Sequence, residues 1–389
     1  MPVWLLIGIS VGWIPLAFLF DGVTVLMLPV RLGGSATDLG LVSFVGLAVG
    51  AAVQPVVGRL SDVTRNRVDR RLFTIAAGLP AIAGLWLLVG SSGIVPAVIG
   101  YVVVQGAASS FQAGQQTLIP EHAEAGARDR ASGVKAVFDV GGAFVAFVIL
   151  GALLAGGDLR AAAVVTTVIL VVAAVLLMAL VPARRRAAET VRPPLDLPRG
   201  LGALVAGRFL FLVGTYAVGR FLLLLVADRL SIPVDRAGDE AGGLLALLTL
   251  GTAAAALVVG RLADGTSRRE LMAGGALVGA AGILVLVPAA GIAGLAAGGL
   301  LMSAGTGAFI TANWAATVAI VPVADAGRLM GIANLGTALA AAVAGLAGPL
   351  IDVAGFAPAL LAAAAVSAAS VVVIRASAVP FARPAEAST

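Results

Sequence analysis

The strongest constraint in this sequence is a succession of uninterrupted apolar runs, each long enough to cross a lipid bilayer. A hydrocarbon core is about 30 Å thick and an α-helix rises 1.5 Å per residue, so one crossing takes roughly 20 mostly apolar residues. Runs of that length fall at about 4–30, 38–60, 72–91, 94–119, 132–156 and 160–182. They recur at about 201–227, 240–262, 271–290, 293–321, 329–352 and 355–375. The runs are continuously apolar rather than alternating, which predicts spanning helices and not barrel strands. The expected fold is therefore an all-α membrane protein of twelve transmembrane helices. Composition excludes the soluble alternative: only 12% of the 389 residues are charged and mean hydropathy is +1.08, against about 25% charged in soluble domains. The first run lacks a basic preceding stretch and exceeds the length of a signal-peptide core, so it is expected to remain as a span.

The net charge of +5 suggests nucleic acid only until the arginines are placed. With the N-terminus inside, the outer loops hold Arg31, Arg160, Arg229 and Arg236, while eighteen arginines fall in inner loops and the tail. Such a bias orients spans rather than binding nucleic acid. It predicts cytoplasmic termini in a cell membrane.

A duplication organises the chain. Val56-Val57-Gly58-Arg59-Leu60-Ser61-Asp62 recurs as Val258-Val259-Gly260-Arg261-Leu262-Ala263-Asp264, six of seven residues identical at an offset of 202. Each copy follows the second span of its half and precedes an arginine pair, Arg70-Arg71 or Arg268-Arg269. A second echo sets Pro120, Arg130 and Gly133 against Pro322, Arg328 and Gly331. These repeats predict two six-helix bundles of like orientation. The bundles would occupy 1–182 and 201–375, joined by an inner linker at 183–200 and followed by a tail at 376–389.

These motifs resemble the signature of the major facilitator superfamily: a Gly, an Asp four residues on, and an Arg-rich turn. Gly58, Asp62, Arg70 and Arg71 match it, as do Gly260, Asp264, Arg268 and Arg269. The likeness extends over essentially the whole chain. Asp69 departs from it, standing where the family usually has Gly. The stretch from Gln54 to Arg71, with Gln116-Thr117-Leu118-Ile119-Pro120 and Arg130-Ala131-Ser132-Gly133, is also similar to the sucrose-transporter-type branch of glycoside and cation symporters. The resemblance implies alternating access, with Asp62 facing the start of span 11 near Gly327 to Met330 when the inner side is closed. A helix N-terminus favours such an anion. The alternative is that Asp62 and the arginines fix topology alone.

Charged groups inside spans cost at least ~2.5–3.5 kcal/mol each, so they normally face a partner or a cavity. Asp21 lies in span 1, Lys135 and Asp139 in span 5, and Arg208 and Arg220 in span 7. Asp21 and Arg220 are separated by nearly the repeat offset, which suggests matching depths on equivalent helices and a gate or proton-linked pair. Each could equally neutralise a neighbour elsewhere. Lys135, the sole lysine, precedes Asp139 by four residues and shares its helical face. That spacing fits either a pair that lowers the cost of insertion or a titratable coupling site.

Gln105, Gln112, Gln115 and Gln116 of span 4, Asn313 and Trp314 of span 10 and Asn334 of span 11 add uncharged polarity. Amides donate and accept, which suits hydroxyl-rich substrates, and Trp314 could stack on a flat face. Interhelical glue and an interfacial belt are the plainer roles.

No catalytic constellation is apparent, so the chain is not read as an enzyme. Without cysteine it has no disulfides or thiolate metal sites. Glu121, His122 and Glu124 read as a solvated loop cluster rather than a metal site, and no phosphate-binding loop is present. No cofactor is expected. The resulting expectation is a monomeric, proton-coupled secondary transporter of a small organic solute, with sugar-like substrates leading. Efflux of amphipathic compounds is the alternative, and a non-transporting assembly factor or sensor of the same shape is a third.

Overall fold

Apolar helices succeed one another from end to end of the computed structural model, which describes residues 1–64, 69–123, 127–183, 197–262, 266–321 and 326–377. The side chains at 62, 63, 70, 73, 120, 128, 129, 262 and 326–328 lie outside that description. The helices are α1 (Val3–Arg31), α2 (Ala36–Thr64), α3 (Thr74–Gly90), α4 (Ile94–His122), α5 (Arg128–Leu154) and α6 (Leu159–Leu180). They continue as α7 (Leu201–Arg220), α8 (Gly238–Leu262), α9 (Arg268–Leu286), α10 (Gly291–Ile320), α11 (Leu329–Ala354) and α12 (Phe356–Ala376). Among the described residues 11 of these are long and apolar enough to cross a membrane, and α3 is a shorter apolar helix. No strand occurs among them. The all-α membrane fold is thus the one that the apolar runs predict.

Winding in α1 is not uniform. Pro15 has no N–H for the carbonyl of Val11, and the helix breaks at Val11 and Gly12 just before it. Beyond Ala17 the chain is π-wound from Phe18 to Met27, then returns to α over Leu28–Arg31.

The chain divides into two compact units, Met1–Arg192 with Ile232–Ala246, and Pro193–Ser231 with Leu247–Thr389. In the first unit, α3 and α4 approach at Gly84 and Gly100. A methyl group on Gly100 would lie 2.6 Å from the Leu88 nitrogen and 2.7 Å from the Gly84 oxygen. Backbone cannot yield as a side chain can, so only glycine permits this approach. The first turns of α8 belong to this unit and pack by Gly238 and Gly242 against Gly151 of α5.

Arginines fasten the ends. Arg31 donates to the carbonyls of Leu88 (2.8 Å), Ser91 (2.6 Å) and Gly93 (3.1 Å), tying the end of α1 to the α3–α4 turn. At the opposite end Arg71 pairs with the Asp69 carboxylate at 2.5 Å and donates to the Val181 carbonyl just past α6. Asp69 also accepts from the Arg71 backbone N–H at 3.0 Å. The residue that departs from the family's Gly therefore holds the adjoining arginine.

One expectation is corrected at this end. Glu121 and His122 are not in a solvated loop: both are buried in the last turn of α4, which continues through Pro120. A proline removes one helical bond, here to the Gln116 carbonyl, without forcing a stop, and the His122 ring is held by other carbonyls. Its nitrogens lie 3.1 Å from the carbonyl oxygens of Leu118 and Pro182. Glu124 lies outside the described residues.

The second unit repeats the close approach. A methyl on Gly282 of α9 would fall 2.7 Å from the Met302 Cα and 2.8 Å from the Gly298 oxygen of α10. Phe211 of α7 stacks on Phe309 of α10, ring centroids 4.2 Å apart, at the centre of its core. Ser367 of α12 donates to the Phe211 carbonyl at 3.1 Å. The ends are again tied by arginine, Arg229 to the Val287 carbonyl (3.0 Å) and Arg269 to that of Ser377 (2.8 Å).

Candidate functional site

Polar side chains gather within each unit at positions set by helix spacing. In the first unit the Thr24 hydroxyl, on the π-wound part of α1, accepts from Gln105 Nε2 at 2.9 Å and from the Tyr101 hydroxyl at 3.1 Å. Tyr101 and Gln105 are four apart on α4 and so present one face to α1. Gln54 of α2 donates to Gln112 at 3.1 Å, and buried Gln115 donates to the Ile9 carbonyl beside the break in α1 at 2.8 Å. Gln116 points outward and is exposed. The four glutamines of α4 therefore divide: three engage neighbouring helices and one does not.

On α5, Lys135 Nζ meets Asp139 at 2.7 Å, the pair expected from the spacing, and lies 3.7 Å from the centre of the Trp13 ring. The pair is half-buried. A cation on an indole face gains electrostatic attraction as well as packing, so Trp13 holds the ammonium group between α1 and α5. Asp21, half-buried, stands on the π-wound segment of α1.

The second unit assembles a cluster around Arg208. Its Nε donates to Asn313 Oδ1 at 2.6 Å and one Nη donates to the Ala333 carbonyl at 3.4 Å. The Asn313 amide is itself fixed, because its Nδ2 donates to the Leu204 carbonyl at 3.1 Å and lies 3.6 Å from the Met272 sulfur. Trp314 places its ring 4.9 Å from the guanidinium carbon and is 38% exposed. Arg220, buried on α7, donates to the Ala341 carbonyl at 3.4 Å. Asn334, next to Ala333 on α11, is half-buried.

The signature residues are described only in part. Gly58 and Gly260 have open space around them, so close packing does not explain either glycine. Arg130 is exposed and Arg268 half-buried. The side chains of Asp62, Arg70 and Arg328, and the whole of Asp264, lie outside the described residues.

Sequence reasoning named Arg208, Asn313 and Trp314 separately; the fold brings them together across more than 100 positions. It missed Trp13, Thr24, Tyr101, Gln54 as a partner of Gln112, and Met272. Tyr101 and Gln105 at helical spacing could have signalled their shared face. Nothing local signals Trp13 or Met272.

A model of the Major Facilitator Superfamily matches residues 14–231 and 204–388. No curated protein matches the sequence. Among solved structures, a bacterial homologue of the human lysosomal transporter Spinster, inward-facing and occupied, is similar at TM-score 0.73 and 14% identity, over 95% of this chain and 94% of that one. The human organic anion transporter TETRAN gives 0.72 and 14%, over 96% and 100%. A mutant of the nucleoside transporter NupG gives 0.73 and 9%, over 96% and 99%. At these identities the structures establish a shared fold.

Proposed function

This chain belongs to the major facilitator superfamily, and from that premise we propose that it is a secondary transporter moving a small polar organic solute by alternating access, driven by protons. The observation that carries this reading is the presence of a buried polar cluster in each of two units that the family model spans. A purely structural bundle would gain stability by losing such groups. This argues against an assembly factor or sensor.

Asp139 is the proposed coupling carboxylate. It is partly accessible, and its ion pair with Lys135 provides a charge that protonation would release. The amides of Gln54, Gln105 and Gln112 support a hydroxylated solute, as does the resemblance of Gln54–Arg71 to the sucrose-transporter-type branch. Export of an amphipathic compound is the second reading, favoured by the exposed Trp314 ring and low aromatic content. The proposed setting is a cell membrane with both termini cytoplasmic, the protein acting as a monomer.

The test uses purified protein in proteoliposomes with an imposed pH gradient and a panel of radiolabelled sugars, sugar acids and dyes. Gradient-driven accumulation is expected, abolished by a protonophore and uncoupled from pH in Asp139→Asn. Uptake in that variant with an unchanged response to the gradient would refute the coupling role. Cysteine labelling offers a separate check: residues 61–71 and 263–270 reacting from opposite faces would refute the topology.

A further inference from the structure

The bonds of Arg208 do not balance its charge. It is 4% exposed, its acceptors are the neutral amide of Asn313 and the neutral carbonyl of Ala333, and its Nη2 meets no acceptor. Among the described residues no carboxylate pairs with it. A neutral dipole can orient a guanidinium but cannot cancel it, and a buried cation without a counter-charge is unfavourable in a low-dielectric interior. Nor can Asn313 turn to offer more, because its nitrogen is committed to Leu204 and Met272.

We propose that Arg208 and Trp314, held by Asn313, form a binding site for the carboxylate of an organic anion. The carboxylate accepts a charge-assisted hydrogen bond from the free Nη2. The rest of the ligand lies against the exposed part of the indole, whose ring is 4.9 Å from the same guanidinium. The open N–H groups of Nη2 belong to a single unit charge, which a singly charged carboxylate cancels and a more highly charged phosphate would exceed. The apolar wall selects an organic ion over a bare inorganic one. This narrows the substrate class of the transport reading and rests on it: the solute carries a carboxylate, as a sugar acid does.

The decisive experiment reads binding before transport. In full-length protein with Trp4, Trp13 and Trp86 replaced by Phe, Trp314 is the only tryptophan. Its emission is followed during titration with cyclohexanecarboxylate and with the uncharged cyclohexanecarboxamide. A saturable change is expected with the acid, at least tenfold weaker with the amide. Arg208→Gln should abolish the response and Arg208→Lys should retain a weaker one. Asn313→Asp supplies an internal carboxylate beside Nε, where Asn313 Oδ1 now lies at 2.6 Å. It should remove the response while keeping a monodisperse size-exclusion profile. Equal responses to acid and amide, or a response surviving in Arg208→Gln or Asn313→Asp, would overturn the proposal. Transport is scored separately with gluconate and glucose in proteoliposomes. Acid binding without movement of either solute would leave the site standing and reject the transport reading. Glucose uptake with a silent Trp314 would do the reverse.

Discussion

The lysine of the first unit and Arg208 of the second each lie against an indole, but Lys135 has its own carboxylate four residues along α5, whereas the hydrogen-bond acceptors of Arg208 are a neutral amide and a neutral carbonyl. Both charges sit in spans, where each costs at least ~2.5–3.5 kcal/mol without compensation. The helices around them are built alike. Gly84 and Gly100, which let α3 meet α4, have counterparts in Gly282 and Gly298 of α9 and α10 at a common offset of 198. Since the scaffolds agree, the contrast belongs to the charges. The charge of Lys135 is cancelled within its own helix, and that of Arg208 meets no carboxylate among the described residues.

The largest expected effect concerns the shared scaffold. Gly100→Val and Gly282→Val each drive a side chain into backbone, and both should abolish the monodisperse peak in size-exclusion chromatography. Loss in only one of them would show that the two crossings are not equivalent supports. Next comes the charge contrast. Lys135→Met strands Asp139 and should lower the Tm by several degrees, with the Lys135→Met, Asp139→Leu double variant recovering most of it. Arg208→Met strands no acid and should cost less than Lys135→Met. A larger fall in Arg208→Met would erase the contrast between the two cations. The smallest effect is expected from Gln105→Leu, where the Thr24 hydroxyl keeps Tyr101 as a partner. A loss of about 1 kcal/mol is expected for that bond, measurable as a modest Tm shift.

The helices were legible because crossing a bilayer demands a length of apolar chain that few other structures need. The Lys135–Asp139 pair was legible for a related reason, since i,i+4 spacing is a local code. Arg208 with Asn313 and Trp314 was not, because α7 and α10 meet only through tertiary packing, and no residue near Arg208 announces which helix will cover it. His122 was placed in a loop because the apolar run ends at residue 119, whereas the helix runs on to His122. The chain loses one backbone bond at Pro120 and turns once more, seating the imidazole under Pro182. Asp69 was seen as a departure from a motif, and its structural role emerged only with the geometry of Arg71.

The π-wound stretch of α1 carries a consequence of its own. Hydrogen bonds that close five residues on, rather than four, leave each turn with surplus chain. Surrendering one residue of that surplus to ordinary α winding would swing whatever lies beyond it by about 100°. Asp21 and Thr24 both stand on this stretch. Such a conversion would change the side chains that α1 shows its neighbours beyond Ala17, while Trp13, which precedes the π-wound stretch and lies against Lys135, would stay outside the rotating part.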